Sequence, residues 1–120
     1  MAIIRDYRDL DIWKDAMDLC EWVYGLVKLF PKDEMYGLVS QMKRAAVSVP
    51  SNIAEGFVRM HGKEFRHFLT FSLSSLAELN TQSILSHRLQ FIPLDRFKET
   101  CNRISLLQLK IEKFRRGIKK

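Results

Sequence analysis

The sequence predicts an all-α protein, an up-down-up-down four-helix bundle. Three observations carry that expectation. Apolar residues recur at steps of three and four through four long segments. Only five Gly and three Pro occur in 120 residues, too few turn formers for a sandwich or barrel of many short strands. The links between the segments are short, which sets consecutive helices antiparallel. One domain over residues 1–120 accounts for the length, and 47% apolar with 28% charged residues suits a folded core rather than a disordered chain.

The first segment covers residues from about 9 to 29. Leu10, Trp13, Met17, Cys20, Tyr24 and Val27 form one heptad seam. Ile12, Ala16, Leu19, Val23, Leu26 and Phe30 form a second seam beside it. One seam suffices for a monomeric bundle, so the second asks for a wider core contact or another subunit. Asp9 is the expected N-cap, with Asp11 and Asp15 near the positive end of the helix dipole. Phe30-Pro31 ends the segment, because the residue before proline avoids the α region.

The second segment covers residues from about 33 to 58, with Leu38, Met42, Ala45, Ala46, Val49, Ile53 and Phe57 on its apolar line. Small residues, among them Ala45, Ala46, Ser48, Ser51, Ala54 and Gly56, allow another helix to approach closely. Pro50 removes one helical hydrogen bond, so the segment kinks or breaks there. The third segment covers about 63 to 89, with Phe65, Phe68, Leu69, Leu73, Leu76, Leu79 and Ile84 on its apolar side. A turn around Pro93 leads into the fourth, about 95 to 116. There Phe97, Cys101, Ile104, Leu107, Ile111, Phe114 and Ile118 make the core line and Gly117 the stop.

Charge is unevenly placed. The formal net charge is +6, and residues 1–94 cancel with 11 basic and 11 acidic side chains. The last 26 residues carry Arg96, Lys98, Arg103, Lys110, Lys113, Arg115, Arg116, Lys119 and Lys120 against Asp95, Glu99 and Glu112. Arg96, Arg103 and Lys110 recur every seven residues. Such a field attracts RNA, another nucleic acid or an acidic partner, and Arg96, Arg103, Lys110, Lys113, Arg115, Arg116, Lys119 and Lys120 are the candidate phosphate contacts. The competing explanation is that these cations merely complement the negative end of a C-terminal helix.

Other chemistry finds little footing. A di-iron or di-manganese bundle needs two Glu-x-x-His pairs, and Glu64 with His67 is the single match. His61, His67 and His87 lack zinc spacing, and no phosphate loop or nucleophile elbow occurs, so neither a metal nor any other cofactor is expected. One polar constellation stands out. Arg44, Ser48, Asn52 and Glu55 share a face of the second segment, and Glu78 lies mid-way along the third. Buried together, Arg44 would pair with Glu78 or Glu55, either fixing helix register or supplying acid–base groups. The longest run free of Lys, Arg, Asp and Glu is His67 to Ala77, far short of the about 20 apolar residues of a membrane span. Arg5 and Asp6 stand where a signal peptide is apolar, and Cys20 and Cys101 have no close spacing. A cytoplasmic protein with reduced thiols is therefore expected.

Two blocks are recognisable: Phe30-Pro31-Lys32-Asp33-Glu34-Met35-Tyr36-Gly37-Leu38, and Ser40-Gln41-Met42-Lys43-Arg44-Ala45-Ala46-Val47-Ser48-Val49-Pro50-Ser51-Asn52-Ile53-Ala54-Glu55-Gly56. Together they resemble the signature of the four-helix-bundle proteins encoded in intervening sequences of bacterial 23S ribosomal RNA genes. Leu10-Asp11-Ile12-Trp13, Lys63-Glu64-Phe65-Arg66-His67 and Ser75-Leu76-Ala77-Glu78-Leu79 resemble flanking motifs, and the similarity spans about residues 7–93. The resemblance implies an all-α bundle, a ring-shaped homopentamer and no catalytic motif. It also implies kinship in fold with the accessory variability determinant of diversity-generating retroelements, a pentameric bundle that works with a reverse transcriptase and RNA. A protein-binding scaffold is thus the alternative to RNA binding. The chain departs from the common pattern at Val58, Ser74 and Asn80.

Overall fold

A computed structural model describes residues 6–119. Its four α-helices are α1 (Asp11–Leu26), α2 (Leu38–Val58), α3 (Gly62–Arg88) and α4 (Leu94–Arg116), with no strand among the described residues. Cross-helix contacts fix their directions. Cys20 meets Ala46 and Tyr24 meets Lys43, so α1 and α2 are antiparallel. The pairs Ser86–Met42, Ser72–Val49 and Gly56–Phe68 set α2 against α3 in the same sense. Arg115–Thr70 and His87–Phe97 do so for α3 and α4, and Lys110–Asp15 and Trp22–Thr100 close α4 onto α1. The bundle measures 45 × 25 × 19 Å, its long axis set by the 27 residues of α3.

Local chemistry explains the helix ends, with two departures from expectation. Asp9 is not the N-cap of α1. It lies in a 3-10 turn, Tyr7–Asp9, which Asp6 caps by accepting from the Arg8 N–H at 2.8 Å. Leu10 occupies the N-cap position and is buried at 5% exposure, because packing rather than a side-chain cap sets the start of α1. Residues 33–37 do not join α2. A 3-10 turn at Lys32–Glu34 precedes it, and the Glu34 carboxylate accepts from the Leu38 N–H. At the far ends of α2 and α3, Met60 and Gln90 take positive φ values of 62° and 65°. After α3, the Phe91 N–H reaches back to the Ser86 carbonyl to close the last turn.

Pro50 neither breaks α2 nor interrupts its helical run. The carbonyl it deprives of a partner is that of Ala46, four residues back. The Cys20 thiol on α1 donates to that oxygen at 3.0 Å. A neighbouring helix thus satisfies what proline leaves open. Burial pushes the Cys20 thiol up to about 11, so it stays protonated as a donor.

The core contains the apolar line of α2 almost as the pattern predicts, with Met42, Ala46, Val49 and Ile53 fully buried. On α1 both seams contribute to the core, the second completely and the first only in part, through Leu10, Cys20 and Val27. Ile12, Ala16, Leu19, Val23 and Leu26 form the buried face, while Met17 and Tyr24 of the other seam are exposed. On α3, Ile84 is also exposed, and Ser72, Ser83 and Ser86 take core positions instead. These serines are tolerated because each hydroxyl donates to a backbone carbonyl: Ser72 to Val49, Ser83 to Leu79 and Ser86 to Gln82. Their small volume lets α3 lie close to α2. Gly56 completes that approach, since a Cβ there would stand 2.7 Å from the Phe68 Cβ.

Candidate nucleic-acid interface

Among the described residues the structure divides the basic side chains of α4 into two groups. The heptad stripe of Arg96, Arg103 and Lys110 runs along the α1 edge of the helix, where its side chains find partners although Arg96 and Lys110 remain exposed. Lys110 Nζ donates to the Asp15 carboxylate at 2.7 Å, and this contact raises its pKa above the ordinary lysine value. Arg103 is held by Glu99 one turn earlier on α4, at 2.8 Å. Its guanidinium also lies 4.4 Å from the centre of the Trp22 ring, with Arg96 on the same ring at 5.9 Å. The indole N–H donates to Thr100, fixing the ring between α1 and α4. The stripe is therefore part of the α1–α4 seam, and its charges have partners. Lys113 lines a groove with Lys110, Asp9 and Asp11, a lining of two cations and two carboxylates.

The C-terminal turns of α4 differ. Arg115 Nη1 donates to the Thr70 hydroxyl at 3.0 Å, and Arg116 and Lys119 are exposed. None of the three is in a salt bridge among the described residues; Lys120 lies outside them. The antiparallel packing of α3 brings Lys63, Arg66 and His67 beside Arg115. Arg66 Nη1 donates to the Ile118 carbonyl at 3.2 Å. Lys63, Glu64, Arg66, His67, Thr70 and Arg115 line a groove of about 590 Å³. It holds three permanent cations against one carboxylate. Both arginines are anchored by one bond each and keep further N–H groups for an anion.

Lys63 and Arg66 were not among the cations singled out from the sequence. The signal for them was present. Lys63, Arg66 and Thr70 recur at steps of three and four, so they share a face of one helix. What the sequence lacks is the pairing of that face with the end of α4.

The polar constellation of α2 and α3 is not a buried cluster. Arg44, Glu55 and Glu78 are exposed, and Arg44 pairs with neither carboxylate. Their positions lie one helical step too far outward to be covered by the facing helix. Of its members only Asn52 and Ser48 meet, the Asn52 amide donating to the Ser48 carbonyl, while Ser48 hydrogen-bonds Ser75 of α3, which the constellation did not include. Glu64 and His67 are exposed, and no group of three or more metal-ligating side chains occurs among the described residues. Among those residues no helix is long and apolar enough to cross a membrane.

Fold and charge together define the class: an all-α four-helix bundle with a basic end built from two helices. Residues 8–113 match the family described as 23S rRNA-intervening sequence protein, and the chain belongs to that family. Its fold is similar to the crystal structure of a protein of unknown function from the S23 ribosomal protein family of Bacteroides thetaiotaomicron. The TM-score is 0.80 at 15% identity, over 86% of this chain and 96% of that one. At that identity the likeness establishes the fold alone. No curated protein is similar enough to match.

Proposed function

We propose that this chain is a non-catalytic, oligomeric RNA-binding protein of the cytoplasm whose phosphate contacts gather at the α3–α4 end of the bundle. One observation carries the reading. Cations at the end of α4 complement its dipole, but Lys63 and Arg66 stand at the start of α3, where a helix dipole disfavours positive charge. Stability at helix ends explains the first set and also Arg66, which donates to the Ile118 carbonyl beyond α4, but it does not explain Lys63. A shared anionic ligand explains why Lys63 joins Arg66 and Arg115 in one groove, and phosphate is the anion that arginine and lysine grooves take in nucleic-acid binding. The family's association with intervening sequences of 23S rRNA favours RNA over DNA.

Assembly supports the same reading. Met17 and Tyr24 on α1 and Val47 on α2 are exposed apolar side chains on adjacent helices, suited to contact between copies in the homopentameric ring that the family resemblance implies. A ring would repeat the basic end around an axis and strengthen the field. A protein-binding scaffold, for example for a reverse transcriptase, is the second reading, favoured by Tyr36 and Met60 at 93% and 88% exposure.

The test is RNA affinity across a salt series for the Lys63→Ala, Arg116→Ala, Lys119→Ala triple variant. Loss of three phosphate contacts should lower affinity about tenfold or more and flatten the log–log salt slope by about two. Unchanged affinity and slope would remove the basic end as the binding surface.

A further inference from the structure

The α3 side of the basic groove continues into an aromatic surface. His67, which lines the groove, meets the ring of Phe71 edge-on with centroids 4.6 Å apart. Phe71 in turn contacts Phe68 at 5.9 Å, and the Arg59 guanidinium lies 5.1 Å from the Phe68 ring centre. Phe71 is 43% exposed, a large apolar ring left in water one turn from His67 and beside the groove. Its neighbours on α3 explain the exposure: Phe71 falls outside the arc occupied by Leu69, Ser72 and Leu76, so the core has no room for it.

We infer that the Lys63–Arg66–Arg115 groove and the Phe71 face form one binding surface for a single-stranded RNA segment, with phosphates in the groove and an unpaired base stacked on Phe71. This rests on the RNA-binding reading and adds the strandedness of the ligand. The chemistry separates single strands from duplexes. A groove of cations serves both, since both present phosphates. An exposed aromatic face serves only bases whose π-faces are free, and in a duplex those faces are stacked on their neighbours. The two halves are rigid with respect to each other. His67, Phe68 and Phe71 belong to the same helix as Lys63 and Arg66, and Arg115 is tied to that helix through Thr70. The site needs no rearrangement to present phosphate donors and stacking surface together.

The measurement is fluorescence anisotropy of the full-length protein with a labelled oligouridine and with an RNA duplex of equal length. The variants are wild type, Phe71→Leu and Lys63→Gln, with helical content and solution mass recorded for each. Leucine keeps most of the apolar volume of Phe71 and removes its ring. Phe71→Leu should weaken oligouridine binding about fivefold or more and leave duplex binding within about twofold. Lys63→Gln should lower the salt slope for oligouridine by about 0.7, the share of one single-strand phosphate. Equal losses for both ligands, no loss for either, or a change in solution mass without a change in affinity would overturn the stacking site. The first two of those results leave the RNA-binding reading standing. Absence of binding to any RNA at low salt overturns both.

Discussion

The two halves of α4 carry similar side chains and do different things. Arg96, Arg103 and Lys110 sit on α1, where Trp22, Asp15 and the local Glu99 take up their charge. Arg115, Arg116 and Lys119 lie past the end of that seam, and Arg115 shares a groove with Lys63 and Arg66 of α3. Charge counting along the sequence treats the halves alike. Field strength depends on what each cation faces, and Arg96, Arg103 and Lys110 face a carboxylate or an indole. The basic helix is therefore not one uniform cationic face but a partnered seam followed by an open cationic end.

The largest effect that tests this contrast is on stability. Trp22 Nε1 donates to the fully buried Thr100 at 2.9 Å, and two guanidiniums lie against its ring. Trp22→Ala should cost about 2–3 kcal/mol in chemical denaturation, somewhat below the range for fully buried tryptophans because the ring is half-buried. RNA affinity of the folded variant should stay near wild type. A large loss of affinity with little loss of stability would move Trp22 from the seam to the ligand.

Two matched double variants sharpen the comparison at lower amplitude. Arg115→Ala with Arg116→Ala should weaken RNA binding about tenfold, or about 1.4 kcal/mol. Arg103→Ala with Lys110→Ala removes the same formal charge and should change affinity less than about twofold, since those cations already have partners. Equal losses in a filter-binding titration would restore the whole stripe as the interface.

The smallest effect is a titration. Asp15 raises the Lys110 pKa by accepting its hydrogen bond and by its charge. The ion pair therefore contributes to the folded state below the ordinary lysine pKa of 10.5. That contribution is lost as pH rises through the higher folded value. NMR of the lysine side chains should show Lys110 titrating above 10.5 in the wild type and falling back in Asp15→Asn. The same variant frees a cation and deletes a carboxylate, so its RNA affinity should rise slightly. No change in the Lys110 titration would mean that the pair does not persist in solution.

Much of the fold was legible in the sequence, for a definite reason. Steps of three and four are a local geometric property of the helix, so Met42, Val49 and Ile53 on α2 or Ile104, Leu107 and Ile111 on α4 announce a buried face whatever they pack against. The two apolar seams on α1 gave no such answer, because leaving Met17 and Tyr24 exposed while burying Leu10, Cys20 and Val27 of the same seam depends on which way the helix is turned. Pro50 was likewise undecidable locally: whether α2 breaks depends on a donor from α1, the Cys20 thiol, reaching the Ala46 carbonyl.

The sequence by itself determined four amphipathic helices, a positive net charge placed in the last 26 residues, and small residues where α2 meets α3. Tertiary structure decided which of those charges stay available. Antiparallel packing set Lys110 opposite Asp15 and Arg115 opposite Thr70, positions 95 and 45 residues apart in the chain. It also turned Arg44 and Glu78 outward to water and carried Lys63 and Arg66 to the end of α4. Periodicity is read along one helix, whereas the partner of a charge is set by the rotation and offset of two helices. Only the packed core fixes those.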